Sequence, residues 1–182
     1  LTPKDLLILA TPPDAGALSA VVQAVGRRLG AMLRSGGVFA GRYKSALVES
    51  DRVLVAQIWV EQAPQFVGCV ANAVDWAWSS AGVHTGIVTT TRPWMMPLTD
   101  HPRYWDCGNT PFDRQAAYKF KLAAGLCGAD RRDIEAAVAG QWALGSEKYL
   151  SKISKFASRR VRPGKRGRPA KPSEIVAPMM RP

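Results

Sequence analysis

The residues best suited to chemistry lie near the carboxyl end of the sequence, where positive charges follow one another without an acid. Seven Arg and Lys residues stand in one run: Arg159, Arg160, Arg162, Lys165, Arg166, Arg168 and Lys171. Gly and Pro between them prevent a helix, and closely spaced cations match the closely spaced phosphates of a nucleic acid. We expect a flexible arm that lies in a groove of DNA or RNA. The alternative is a solvated, disordered tail that only keeps the protein soluble.

The overall charge favours the same kind of partner. The chain has 182 residues, with 25 Lys and Arg against 14 Asp and Glu, which gives a net charge of +11. The basic run supplies seven of these charges, so the rest of the chain is only mildly basic. This balance suits a nucleic-acid partner, DNA or RNA. Hydrophobic residues make up 47% of the chain, which is enough for a core.

The sequence gives no sign of export or of a membrane span. It contains no run of about 18 apolar residues and no visible secretory signal, so we expect no membrane partner. Three cysteines without metal-ligand spacing indicate ordinary thiols in a reducing compartment. We therefore expect a cytoplasmic, nucleoid-associated protein. Because the sequence begins at Leu1, almost inside an apolar run, we also expect that an N-terminal piece is missing.

Side chains that could hold a metal ion or attack a substrate are few. His84 and His101 could form a two-histidine metal site, but loop or capping roles fit their irregular surroundings better. Tyr43 lies between two cations, where it could attack a phosphate or contact a base or phosphate. Tyr118 and Tyr149 fall on helical faces, where packing is the expected role.

Hydrophobic periodicity predicts the elements that must position these residues. The continuous apolar run Leu6–Ala10 indicates a buried strand. From Leu18 to Leu33 apolar residues recur at helical spacing. Residues 38–48 are expected to be extended, and the helix after Ser50-Asp51 should stop before Pro64.

The second half of the chain is predicted to be helical. Thr110-Pro111-Phe112-Asp113 has the signature of a helix start, and that helix should run to about Ala124. Further helices are predicted for 130–143 and 146–157. We therefore divide the chain into an α+β body (1–82), an irregular linker (83–109), a helical C-terminal region (110–158) and a basic flexible tail (159–182).

Motifs in a fixed order along nearly the whole chain resemble the REP-associated tyrosine transposases, small bacterial single-tyrosine enzymes of the HUH class. The motifs that carry the resemblance are Thr11-Pro12-Pro13-Asp14, Gly26-Arg27-Arg28, Gly41-Arg42-Tyr43-Lys44-Ser45, Trp78-Ser79-Ser80, Arg114-Gln115-Ala116-Ala117-Tyr118, Trp142-Ala143-Leu144-Gly145 and the two Arg-rich segments of the tail. The resemblance implies an α+β fold, an antiparallel sheet flanked by helices. It also implies binding of a folded single-stranded DNA hairpin. Its basic positions correspond to Arg27, Arg28, Arg42 and Lys44, which are candidate DNA contacts; the alternative is ordinary surface charge.

The chemistry that the resemblance implies is strand cleavage and transfer. A tyrosine hydroxyl attacks a DNA phosphate, while a divalent metal such as Mg²⁺ or Mn²⁺, held by two histidines of an H-x-H strand, polarises that phosphate. In this sequence Asp5 and Leu7 stand at the two histidine positions, and Trp59 stands at the tyrosine position. Leucine cannot bind a metal and indole has no hydroxyl. Glu61 could be a relic metal ligand or a solvated helix carboxylate.

These departures favour a protein that binds without cutting. We expect a transposase-derived, degenerate and N-terminally short protein that binds hairpin or single-stranded DNA, or structured RNA. It would hold no cofactor and could act within a larger nucleoprotein assembly. Besides Arg and Lys contacts to phosphate, an exposed aromatic such as Tyr43 would stack on bases. The alternatives are an active transposase whose missing groups come from elsewhere, and a decayed gene fragment ordered only by a partner.

Overall fold

The computed structural model describes residues 1–34, 36–88 and 98–164, and in these ranges the chain is mostly helical. The longer helices are α1 (Ala17–Leu33), α2 (Val53–Phe66), α5 (Pro111–Ala124), α6 (Gly128–Gly140) and α7 (Glu147–Ser154). Two helices of a single turn, α3 (Ala81–His84) and α4 (Pro102–Trp105), lie between α2 and α5. Short 3₁₀ turns span Ser50–Arg52 and Ala73–Asp75.

The predicted antiparallel sheet flanked by helices is wrong. Within the described ranges, pairing of strand type is limited to an isolated parallel bridge between Val48 and Leu144. The apolar run Leu6–Ala10, predicted to be a buried strand, is irregular, and its Leu6, Ile8 and Leu9 side chains are exposed. A strand needs a neighbour for its N–H and C=O groups, and no strand pairing with this run occurs among the described residues.

The predicted helices are confirmed, with small changes at their ends. The predicted start at Thr110 is correct, because its side chain accepts a hydrogen bond from the backbone N–H of Asp113 and Pro111 occupies the first helical position. Ser146 caps α7 in the same way. Helix α2 continues through Pro64 to Phe66, three residues beyond the predicted limit. The proline ring is fully buried there, and its packing offsets the backbone hydrogen bond that proline removes.

Helix α2 lies at the centre of the described core. On one side Ile58 packs in a cluster of buried residues, the others being Ala73, Ala81, Tyr104, Tyr118 and Leu122. On the other side Val55 and Trp59 pack against a second cluster formed by Ile134, Ala137 and Leu144. Burial on two sides explains why α2 carries apolar residues around most of its circumference.

Helix α1 differs from α2 in burying none of its residues. Its apolar residues are half-buried or exposed, and Met32 and Leu33 at its C-terminal end are strongly exposed. Among the described helices none is both long and apolar enough to cross a lipid bilayer.

Candidate nucleic-acid interface

The segment that follows α1 folds back along that helix. The Phe39 ring lies against Gly26, 3.4 Å from the position that a Cβ atom would take at that glycine. Further along, the Tyr43 hydroxyl and the Ser19 hydroxyl are hydrogen bonded at 2.8 Å. Since position 39 is near position 26 and position 43 is near position 19, the segment runs antiparallel to α1. We call α1 with this segment, residues 17–34 and 36–45, the basic unit.

The basic unit brings together the cations that the resemblance selected. Arg27 and Arg28 are exposed on α1, and Arg42 and Lys44 are exposed on the returning segment beside the first half of the helix. Arg34 adds a fifth cation at the end of α1. None of the five makes an ion pair with a described residue. Between Asp14 and Glu49 the sequence contains no acid, so the positive charge of the unit is not offset locally.

The start of the basic tail lies next to the basic unit. The Arg159 guanidinium donates to the backbone oxygen of Ser45 at 3.5 Å and to Gln141 Oε1 at 3.4 Å. Arg160 is exposed, whereas Arg162 forms an ion pair with Glu147. Lys165, Arg166, Arg168 and Lys171 lie outside the described residues.

Backbone pairing fixes this arrangement. The N–H of Leu144 donates to the Leu47 carbonyl at 2.7 Å, and the N–H of Glu49 donates to the Leu144 carbonyl at 2.8 Å. One residue earlier, the N–H of Ala143 donates to the carbonyl of buried Val161 at 2.9 Å. The residues that directly follow the basic unit and the start of the tail are therefore both held by the same short segment after α6.

The positions expected for cleavage chemistry are not assembled into a site. Asp5 is exposed in a turn that Thr2 closes, with the N–H of Asp5 donating to Thr2 Oγ1 at 2.9 Å. Leu7 is half-buried in the irregular N-terminal segment. Trp59 is half-buried and packs against the second core cluster, among apolar side chains. Within the part of the chain that the structure describes, no three His, Cys, Asp or Glu side chains are grouped so that they could hold a metal ion.

Glu61 is a buried carboxylate, so the prediction of a solvated helix carboxylate is wrong. Its side chain has no exposed surface, and its two oxygens accept hydrogen bonds from three groups. Oε1 is 2.6 Å from Ser80 Oγ and 2.5 Å from His84 Nδ1, and Oε2 is 2.7 Å from the Tyr118 hydroxyl. A buried carboxylate with this many partners stabilises the packing of α2, α3 and α5 against one another. We call these four side chains the Glu61 network.

The hydroxyl of Tyr118 is unsuited to attack on a phosphate. Burial and the adjacent Glu61 carboxylate raise the pKa of Tyr118, since both disfavour the charged phenolate. A nucleophilic tyrosine must approach the phenolate form as it reacts. Tyr118 is therefore a packing residue, as the sequence suggested, with a hydrogen bond that the sequence did not reveal.

The two histidines serve different structural purposes. His84 Nε2 is 3.7 Å from Asp100 Oδ1, on the opposite side of the ring from Glu61, and the Tyr104 hydroxyl donates to the His84 carbonyl at 2.7 Å. His101 caps α4, with its Nδ1 accepting from the Arg103 N–H at 3.1 Å. The capping role expected for a histidine in this region is confirmed for His101.

Comparisons with known proteins add no relative to this description. No protein-family model, curated protein or solved structure gives a significant match to the chain.

Proposed function

We propose that this chain is a nucleic-acid-binding protein that derives from a REP-associated transposase and does not cleave its ligand. Its ligand is hairpin or single-stranded DNA, with structured RNA as the second candidate. The observation that carries the proposal is the acid-free basic unit, whose five cations lack described ion-pair partners and whose last residue, Ser45, accepts a hydrogen bond from Arg159 of the basic tail. A surface of this kind attracts phosphate without selecting a base sequence.

The surroundings of Trp59 support the absence of cleavage. Restoring the chemistry of the related enzymes requires a phenol at this position and a metal ion beside it. The Trp59 side chain packs on the apolar cluster that contains Ile134, Ala137 and Leu144, and no described carboxylate or imidazole is grouped there as a metal ligand. Leu7, at a position that would supply an imidazole, cannot bind a metal. A protein with this arrangement would act by binding its ligand without cutting it, alone or within a nucleoprotein assembly. We place it in the cytoplasm, associated with the nucleoid.

A combined binding and cleavage assay tests the proposal. A labelled DNA hairpin with single-stranded flanks is incubated with the full chain in Mn²⁺ or Mg²⁺, and complexes are separated under native and denaturing conditions. We expect a native complex that dissociates as the salt concentration is raised. Under denaturing conditions we expect no labelled protein band. Absence of the native complex would contradict binding, and a covalent band would contradict the loss of cleavage. A matched RNA hairpin in the same assay decides between DNA and RNA.

A further inference from the structure

Two aromatic rings are held on the same face of α1 within the basic unit. Phe39 lies against Gly26 and Tyr43 is bound to Ser19, and each aromatic residue keeps 40% of its surface exposed. Ser19 and Gly26 are seven residues apart, which is close to two full helical turns, so they lie on one face about 10 Å apart. Each aromatic side chain is therefore held against α1 by one contact, while the residue stays partly exposed to solvent.

Cations are close to these rings in the sequence. Arg27 follows the glycine on which Phe39 rests, and Arg42 and Lys44 flank Tyr43 in the sequence. An exposed aromatic ring in a positively charged, acid-free setting fits a base with its phosphate, because the ring stacks on the base while the cations hold the backbone. The spacing of about 10 Å along α1 equals about three steps of a stacked strand, at roughly 3.4 Å each.

The geometry points to Phe39, together with Tyr43, as a stacking surface for unpaired bases, spanning about four nucleotides. This inference rests on the proposed function. It adds that the protein recognises the unpaired bases of its ligand. Paired bases are stacked on each other inside a duplex and cannot lie on these rings. Phe39 therefore makes the interface favour unpaired nucleotides, whereas the cations alone would accept any phosphate backbone.

The test uses the full chain and two oligonucleotides. One is a DNA hairpin with the fluorescent base 2-aminopurine in its loop, and the other is a fully paired duplex of the same length. Phe39→Leu keeps an apolar side chain against Gly26 but removes the ring, and Phe39→Trp keeps a ring. Thermal unfolding confirms that each variant is folded before binding is measured.

We expect Phe39→Leu to lower affinity for the hairpin about tenfold, and to reduce the quenching of 2-aminopurine, while duplex affinity stays the same. Phe39→Trp should retain both hairpin affinity and quenching. Equal loss on hairpin and duplex, or no loss on either, would overturn the stacking role. If Phe39→Leu changes nothing while Arg27→Ala/Arg28→Ala weakens binding, the proposed function stands and this inference fails; if the unmodified chain binds neither oligonucleotide, both fail.

Discussion

The Tyr118 hydroxyl donates a hydrogen bond of 2.7 Å to the fully buried Glu61 carboxylate and thereby joins α5 to α2. The two residues are 57 positions apart in the sequence. Because Ser80 and His84 are hydrogen bonded to the same carboxylate, one buried side chain connects α2, α3 and α5. The Glu61 network accordingly contributes to the stability of the scaffold that carries the basic unit.

Removing the Tyr118 hydroxyl should destabilise the protein. Tyr118→Phe leaves the Glu61 carboxylate with one fewer donor in a buried site, and hydrogen bonds to charged groups contribute about 1.5–3 kcal/mol. We expect a loss of that size in the free energy of unfolding, measured by urea denaturation. Tyr149→Phe is the matched control, since its half-buried hydroxyl does not bond Glu61, and it should change stability by less than about 0.5 kcal/mol. Equal effects of the two substitutions would show that the network is not stabilising.

The ion pair between Arg52 and Asp130 predicts a pH dependence of stability. The hydrogen bond from Arg52 is the main cause that lowers the pKa of Asp130, with a smaller contribution from Cys127. A carboxyl whose pKa is lower when folded adds stability above its unfolded pKa of about 3.9, and this stability disappears as pH falls through the folded pKa. Both side chains are partly exposed, so Asp130→Asn should cost only about 0.5–1 kcal/mol at pH 7.

Urea denaturation at several pH values measures this effect. The difference between the unmodified chain and Asp130→Asn should be present at pH 7 and should shrink below about pH 4. Asp133→Asn, on the exposed side of the same helix, controls for the loss of one acid. A difference that is constant between pH 7 and pH 3 would contradict a contribution from the Arg52 pair.

Restoring a tyrosine at position 59 should not restore cleavage. Trp59→Tyr introduces a phenol, but its ring would replace indole against the apolar cluster of α6, where no described group could hold a metal ion. We expect no covalent protein–DNA band with a labelled hairpin in Mn²⁺. A band in this variant, absent from the unmodified chain and from Trp59→Phe, would show that a metal site exists near α2.

Loss of tail cations should weaken binding in a salt-dependent manner. Arg166→Ala/Arg168→Ala removes two of the seven closely spaced charges. Each lost phosphate contact should reduce the slope of log affinity against log salt by about one, so we expect a reduction of about two. Fluorescence anisotropy of a labelled hairpin at several salt concentrations gives the slope. An unchanged slope would favour the solvated-tail alternative.

The longer helices could be predicted from the sequence, whereas the absence of a sheet from the described residues could not. Apolar spacing places α1, and the Thr110-Pro111 start places α5, because capping and periodicity are local properties. The run Leu6–Ala10 has the composition of a buried strand, but strand formation depends on a neighbouring segment, and composition does not say whether one is present. The described fold therefore departs from the prediction where pairing over long sequence distances decides the structure.

The cations of the candidate site could be predicted from the sequence, but their arrangement could not. Charge and motif selected Arg27 and Arg42, yet only the structure shows that the segment carrying Arg42 folds back along the helix that carries Arg27. Phe39 was missed, since its role depends on the contact with Gly26. Glu61 carries a local signal, because it follows Leu54 and Ile58 at helical spacing on the buried face of α2. Its partners on α3 and α5 could not be inferred from that spacing.

The salt dependence of hairpin binding by a variant of the basic unit tests the central claim most directly. Arg27→Ala/Arg28→Ala/Arg42→Ala/Lys44→Ala removes four exposed cations, and Lys119→Ala/Arg132→Ala removes two exposed cations on α5 and α6 as the control. At about one unit of slope per phosphate contact, as for the tail cations, the first variant should lose about four units of slope and most of its affinity, while the control keeps both. Equal slopes for the unmodified chain and the first variant would contradict the assignment of the basic unit as the nucleic-acid interface.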